Sequence, residues 1–120
     1  MTIKEVSNKY DITQDTIRYY ERIGLLPPVP RNKAGIREFD EKSCKWLEFI
    51  KCMRSAGMQI EALIEYMTLF RQGKDTASAR KNLLLEQREI LVQKQKDINN
   101  TLERLDYKIR LYEEIEEGKR

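Results

Sequence analysis

Residues 13–28 read Thr-Gln-Asp-Thr-Ile-Arg-Tyr-Tyr-Glu-Arg-Ile-Gly-Leu-Leu-Pro-Pro, and this stretch decides the fold. Thr13 is a favourable N-cap and Gly24 is a favourable stop, so a short helix is predicted over residues 14–23. Its Arg and Tyr side chains are of the kinds that bind phosphates and base edges. The stretch therefore predicts a short helix with a surface suited to DNA.

Another short helix is predicted immediately upstream, over residues 3–10. Thr2 is its expected N-cap, and Glu5 occupies the capping-box position. Only a tight break at residues 10–12 separates the two helices. Two short helices joined in this way, the second bearing Arg and Tyr, are typical of a helix-turn-helix that reads DNA.

Three pieces of the sequence resemble the MerR family of bacterial transcription regulators. Ile3–Tyr10 is similar to the family's first helix, and Thr16–Leu26 is similar to its recognition helix and the exit from it. Arg31–Phe39 is similar to the family's wing. The resemblance extends to individual motifs over roughly residues 1–70, and beyond them it is limited to the general arrangement of the chain. It implies a winged helix-turn-helix head followed by a long dimerising helix.

The residues themselves predict the rest of the head. Residues 25–39 are rich in Pro, Asn and Gly, and the alternation at their end predicts a short two-stranded β wing. Asp40 should cap a third helix over residues 41–55, and a fourth helix is predicted from Ile60 to Arg71. We therefore predict a DNA-binding head at residues 1–73 and a dimerisation segment at residues 74–120, with no separate effector domain.

A long helix is predicted after the head, because residues 77–117 contain neither Gly nor Pro. Apolar side chains recur in it every seven residues, and towards the C-terminus each repeat has a second apolar position. We call the stripe formed by these side chains the seam. These residues are Leu84, Leu91, Ile98, Leu105 and Tyr112, together with Leu102 and Ile109. Such a pattern is typical of helices that pair, so the predicted fold is mainly all-α, with an antiparallel coiled coil between two chains.

Two alternatives for this helix remain open. The N-terminal seam partners are the polar residues Lys81, Arg88 and Gln95, so Leu83, Leu85 and Ile90 could pack on the head instead. A single chain could also fold back into a bundle if the helix broke near Asn99-Asn100. At ~1.5 Å per residue, forty helical residues span about 60 Å, which is too long for a small head to cover. A partner chain is therefore expected.

Composition excludes several classes of function. Charged residues make up 36% of the 120 residues, and no signal peptide is evident, so a cytoplasmic protein without a membrane partner is expected. Two Cys and no His exclude a single-chain Cys/His zinc set and the usual nucleophilic dyads, and an enzyme is not expected. Residues 1–58 hold 11 Lys/Arg against 8 Asp/Glu, whereas residues 59–120 hold 12 of each. The excess positive charge thus lies in the head, as nucleic-acid binding favours.

The expected DNA contacts lie on the second helix and the wing. The Arg18 guanidinium can donate two parallel hydrogen bonds to a guanine edge or to a phosphate. Helix N-termini also attract phosphate. From the residues we predict Thr13, Gln14, Thr16, Arg18, Tyr19 and Tyr20 on the helix, and Arg31, Lys33 and Arg37 in the wing. The alternative for one of the two tyrosines is that it packs inside the protein and does not contact DNA. The resemblance supports the Arg and Tyr contacts, and it adds Arg54, at the end of the third helix, as a phosphate clamp.

The run Lys51-Cys-Met-Arg-Ser-Ala-Gly57 resembles the thiol-dependent, aldehyde- or electrophile-responsive subgroup of the family, whose cysteine falls at the place of Cys52. On a helical wheel Cys52 lies at the margin of an apolar arc, and Cys44 lies on the polar side. Lys51 and Arg54 beside Cys52 would favour its thiolate. The alternative is an inert, half-buried Cys52. Eight residues of helix, about 12 Å, separate the two thiols, which excludes an intrachain disulfide.

The resemblance also implies a mechanism. A homodimer would bind double-stranded promoter DNA at a pseudo-palindrome between two elements set too far apart. It would then bend and untwist the DNA so that RNA polymerase can engage both elements. Two rivals stay open: a metal-responsive regulator using Cys52 of two chains, and a coiled-coil adaptor that does not bind DNA. No cofactor or metal is expected, because residues 75–79, where the family's metal sensors carry Cys, contain none.

Overall fold

The structure is a computed structural model that describes residues 1–119, and most of these residues are helical. The helices are α1 (Ile3–Tyr10), α2 (Gln14–Arg22), α3 (Glu41–Ser55), α4 (Ile60–Gln72) and α5 (Ala77–Glu116). A short 3₁₀ helix, Lys74–Thr76, which the sequence analysis did not predict, precedes α5. All five predicted helices are thus confirmed. Arg120, the end of the predicted dimerisation segment, lies outside the described residues.

Local hydrogen bonds explain where the helices of the head begin. Thr2 and Glu5 form the complete predicted capping box at the start of α1. The Thr13 side chain accepts a hydrogen bond from the Thr16 amide at 3.1 Å, and Asp40 accepts one from the Ser43 amide at 2.8 Å. Side-chain caps at these positions satisfy amides that have no partner inside the helix.

The turn between α1 and α2 is made by Asp11 in the left-handed conformation, with φ 53°. Aspartate tolerates this region better than most residues because its short polar side chain can bond locally. The Ile12 amide then donates to the Ser7 carbonyl at 3.2 Å, which closes the end of α1. The chain is thereby turned directly into α2, as a helix-turn-helix requires.

The predicted two-stranded wing is wrong in its extent. Among residues 1–119 the wing forms one isolated antiparallel bridge, between Arg31 and Arg37, and no longer strand. Pro27, Pro28 and Pro30 precede it and cannot donate ladder hydrogen bonds. The Asn32 side chain instead closes the turn by accepting from the Ala34 and Ile36 amides. The wing is therefore a clamped turn rather than a ladder.

The core of the head is formed by side chains from α1 to α4 and from the exit of α2. The largest fully buried side chains are Val6, Ile17, Leu25, Leu26, Leu47, Ile50, Leu63 and Met67. Phe39, at the end of the wing, is buried as well, and its amide donates to the Met1 carbonyl at 2.8 Å. Val29, at the start of the wing, is buried too, so both ends of the wing are anchored by apolar burial.

The chain divides into two compact units, Met1–Gln87 and Arg88–Arg120. The predicted functional division after residue 73 stays a prediction. In the first unit Leu83 is half-buried, but Leu85 is 54% exposed, so the alternative in which Leu85 packs on the head is wrong. Ile90, in the second unit, is also exposed.

The seam residues of α5 are largely uncovered in the single chain. Ile98, Leu102, Leu105, Ile109 and Tyr112 are each between 50% and 62% exposed, Leu84 is exposed, and Leu91 is half-buried. The helix is continuous through Asn99-Asn100, which rules out the folded-back bundle. The apolar seam is therefore available to another molecule.

The buried core predicts a large effect of truncating Leu47. Leu47→Ala should lower the free energy of unfolding by about 2–5 kcal/mol, because Leu47 is fully buried and its removal leaves a cavity. Urea unfolding followed by far-UV circular dichroism, at fixed protein concentration, measures the change. Lys42→Ala, at an exposed position of the same helix, should stay within about 0.5 kcal/mol of the parent. Equal midpoints for the two variants would contradict the packing described here.

Candidate nucleic-acid interface

Arg18 projects from the exposed face of α2. Its guanidinium donates to Asp15 at 3.0 Å and to Gln14 at 3.2 Å, and its side chain is 43% exposed. Exposed ion pairs of this kind contribute little free energy, so a stronger partner readily displaces them. The contacts hold the guanidinium at the surface while leaving it able to exchange onto a base edge or a phosphate.

A depression of about 430 Å³ lies beside the N-terminus of α2. It brings together four of the predicted residues: Thr13, Thr16, Tyr20 and Arg54. Lys51, which the sequence analysis did not assign to DNA, lines it as well. A helix N-terminus flanked by two cationic side chains is suited to a phosphate oxygen. Only the tertiary packing of α3 against the helix-turn-helix reveals the place of Lys51.

The cations in this depression are held by backbone oxygens. Arg54 donates to the Met58 carbonyl at 2.8 Å, and the Lys51 ammonium donates to the Tyr10 carbonyl at the end of α1. The Thr13 hydroxyl bonds the Thr16 hydroxyl at 2.7 Å. These bonds fix the side chains before any ligand arrives, which lowers the entropy cost of binding.

The two tyrosines of α2 have different surroundings. Tyr19 is exposed, and the Arg22 guanidinium lies 5.4 Å from its ring centroid. Tyr20 is half-buried and packs against the core. Tyr20 is thus the tyrosine with a packing role, although it also lines the depression at the start of α2.

The wing presents basic side chains around its turn. Arg31 donates to the Gly35 carbonyl at 2.7 Å, and Lys33 lies exposed near the tip. Gly35 has φ +79°, a conformation that suits glycine, and it makes the turn possible. Arg37 differs, because its Nε donates to Glu21 of α2 at 2.8 Å and it is mostly buried.

Glu21 is a residue of the interface that the sequence analysis missed. Its other carboxylate oxygen accepts from the Val29 amide at 2.6 Å. Burial raises the pKa of this carboxyl, but the bonds from Val29 and Arg37 and the charges of Arg37 and Arg31 outweigh burial and leave the pKa below its usual value. The only signal in the sequence was that the Glu21 carboxylate lies between Tyr20 and Arg22, in a stretch otherwise suited to binding DNA.

The structure places the two cysteines of α3 in different environments. Cys52 is exposed, so it is more accessible than a half-buried structural thiol. Lys51 and Arg54 bond carbonyl oxygens rather than the Cys52 sulfur. The placement of Cys44 on the polar side is wrong, because Cys44 is half-buried and packs against the core.

Tyr10 explains this burial of Cys44. Burial raises the pKa of the Tyr10 phenol, and hydrogen bonding with Glu48 and Cys44 raises it further. The wheel of α3 alone could not show that α1 covers its Cys44 face. Cys44 is therefore part of the contact between α1 and α3.

No helix among residues 1–119 is both long enough and apolar enough to cross a membrane. Within the same residues, no group of three or more His, Cys, Asp or Glu side chains is arranged to hold a metal ion.

Comparison with known proteins gives concordant results. The model of the MerR helix-turn-helix family of regulatory proteins matches residues 1–69, and a model described as "MerR, DNA binding" matches residues 44–107. The HTH-type transcriptional regulator AdhR of Bacillus subtilis (strain 168) is 55% identical over 93 residues. This match covers 78% of the present chain and 66% of AdhR, just under two thirds of that protein.

Two solved structures are similar over nearly the whole chain. The crystal structure of a MerR family transcriptional regulator from Listeria monocytogenes has a TM-score of 0.90 at 48% identity, covering 94% of this chain and 86% of that one. HiNmlR, a MerR family regulator that lacks the sensor domain, was crystallised bound to promoter DNA. It has a TM-score of 0.87 at 28% identity and covers 96% of this chain and 91% of its own.

The exposed position of Arg18 leads to a prediction for DNA binding. Arg18→Ala should weaken binding to a duplex selected by the protein from random DNA by about 1–3 kcal/mol, as for loss of a forked guanidinium contact. Fluorescence anisotropy at constant salt measures the affinity, and far-UV circular dichroism should be unchanged. Lys4→Ala, which removes an exposed cation from α1, is the matched control and should bind nearly as the parent. Unaltered affinity of Arg18→Ala would remove Arg18 from the interface.

Proposed function

The chain belongs to the MerR family of helix-turn-helix transcription regulators, and we propose that it acts as a homodimer that activates a promoter by distorting its DNA. It is a DNA-binding regulator rather than an enzyme, as its relatives are. The rival interpretation as an adaptor that does not bind DNA is thereby excluded. The observation that carries the proposal is the exposed Arg18 of α2, together with a depression at the N-terminus of the same helix that Lys51 and Arg54 line.

In the proposed complex each head reads one half-site. Arg18 and the first turn of α2, with Gln14 and Thr16, enter the major groove, and Tyr19 reaches the neighbouring backbone. Lys51 and Arg54 receive a phosphate at the N-terminus of α2, where the helix dipole assists. Arg31 and Lys33 of the wing meet the backbone on the other side. These contacts would fix the register of the head on DNA.

The proposed partner is a second copy of this chain. The uncovered seam of α5 is apolar over many residues, and such a stripe is rare on proteins that work as monomers. An antiparallel pairing of two copies would cover it on both helices at once, as a twofold interface requires. The two heads would then be joined rigidly and would read a pseudo-palindrome.

Rigid joining of two heads provides the means to deform DNA. If the half-sites of an overlong spacer do not match the separation of the heads, binding must bend or untwist the duplex. The deformation would bring two promoter elements into the reach of RNA polymerase, in the cytoplasm. The protein therefore does not need to recruit polymerase by contact in order to activate.

The proposed signal is an aldehyde or another electrophile that adds to Cys52. The thiol is exposed on α3, within the run Lys51–Gly57 that resembles the thiol-dependent subgroup. The 55% identity to AdhR supports the resemblance to that subgroup. An adduct would crowd Phe49 and Met53, which are half-buried on the same helix. A modification switches a protein only by favouring one conformation over another, and a bulky group at a packed margin does so.

The dimer is tested by placing a charge in the seam. Leu105→Asp should give monomers in sedimentation velocity and should abolish operator binding, because an unpaired carboxylate is costly in an apolar contact. Asn100→Asp adds the same charge to an exposed position outside the predicted seam, and it should remain a dimer. If Leu105→Asp sediments as the parent does, the two chains meet elsewhere.

The signal is tested by removing each thiol. Cys52→Ala should bind the operator nearly as the parent but should lose the rise in transcription caused by methylglyoxal, added as the electrophile, in a purified transcription assay. Cys44→Ala should still respond, because Cys44 packs against the core. Bound metal, measured on the same preparations, tests the metal-responsive alternative. Normal induction of Cys52→Ala would show that this thiol is not the sensor.

A further inference from the structure

The Glu21 side chain differs from its neighbours on α2, because it is mostly buried and both of its oxygens are occupied. Its side chain is 15% exposed, and that of its partner Arg37 is 23% exposed. One oxygen accepts from the Arg37 Nε at 2.8 Å, and the other accepts from the Val29 amide at 2.6 Å. A carboxylate with two donors in this geometry makes strong, charge-assisted hydrogen bonds.

The two donors lie on opposite sides of the wing. Val29 is in the segment that leads into the wing, and Arg37 is in its returning arm, directly opposite Arg31. The wing has only the one bridge between its arms, and the prolines before it cannot add donors. Within residues 1–119, the Glu21 carboxylate of α2 accepts hydrogen bonds from both arms of the wing. Besides the apolar burial of its two ends, the wing is therefore tied to α2 by this carboxylate.

We propose that Glu21 is a positioning residue for DNA binding, and that Arg37 supports binding through Glu21 rather than by touching DNA. The Glu21–Arg37 pair would hold Arg31 and Lys33 at the distance from α2 that one half-site requires. This inference rests on the proposed contact between wing and DNA. It also reassigns Arg37, which the sequence analysis predicted to be a direct contact.

Simple electrostatics makes the opposite prediction for Glu21. A carboxylate beside a DNA-binding surface repels phosphates, so its removal should tighten binding if it has no other role. Loss of affinity on neutralising Glu21 is therefore diagnostic of positioning. Glu38, an exposed carboxylate in the wing itself, provides the matched comparison.

The experiment measures operator affinity at constant salt for the whole chain of 120 residues. Glu21→Gln should weaken binding about tenfold, the size expected for losing a hydrogen bond to a charged group. In this geometry Val29 and Arg37 bond different oxygens of Glu21, and an amide cannot accept at both ends because its NH₂ end is a donor. Glu38→Gln should bind as tightly as the parent or more tightly. If Glu21→Gln also binds equally or more tightly, the proposal is wrong.

A double-mutant cycle decides the role of Arg37. If Arg37 acts through Glu21, then Arg37→Gln, Glu21→Gln and the double variant should lose similar affinity, because one interaction is removed in all three. Losses that add would mean that Arg37 contacts DNA independently, which overturns its reassignment. If Glu21→Gln fails to fold, Arg37→Gln alone carries the test through the footprint described next.

Hydroxyl-radical footprints separate positioning from a general loss of fold. In Glu21→Gln and Arg37→Gln, protection by the wing should be lost while protection by α2 at the half-site centre remains. Uniform loss of both would contradict a role specific to the wing. Lys33→Ala tests the underlying contact: if it keeps full affinity and footprint, the wing does not meet DNA, and the proposed contact fails together with this inference. If Lys33→Ala weakens binding but Glu21→Gln does not, only the positioning role fails.

Discussion

The position of α2, the helix proposed to read DNA, depends on burial of the apolar side chains at its back and just after its end. α2 has only nine residues, and isolated helices of that length are marginal in water. Ile17 from the helix and Leu25 and Leu26 beyond it are almost completely buried among side chains of the other head helices. The free energy of that burial, rather than intrinsic propensity, holds α2 in place. The outer face of α2 therefore carries polar side chains that are held in position but are not needed in the core.

The same constraint explains why much of the head was predictable from the sequence. Caps such as Thr2, Thr13 and Asp40 act over three residues, so their effect can be read locally. Helical spacing of apolar residues reports which face meets a core without saying which element covers it. The helices and their order were accordingly confirmed.

The errors arose where a residue's surroundings are contributed by another element. Cys44 was placed on the polar side of α3, but Tyr10 of α1 covers it. The wing was predicted as two strands because its alternation was visible, whereas the shortage of donors before Arg31 limits it to one bridge. Glu21 was missed because its partner lies sixteen residues away in the chain. Contacts of this kind are set by tertiary packing and leave little periodic signal.

α3 connects the proposed signal to the proposed DNA contacts by short physical steps. Cys52 follows Lys51, whose ammonium bonds the carbonyl at the end of α1, and it precedes Arg54, whose guanidinium bonds the turn after α3. Both cations line the depression at the start of α2. A group added to Cys52 can therefore affect DNA binding without itself touching the DNA-binding surface. A small rotation of α3 would shift both cations relative to α2, because a close-packed head transmits displacement rather than absorbing it. Coupling of this kind requires two discrete arrangements of α3 that DNA and the adduct favour unequally.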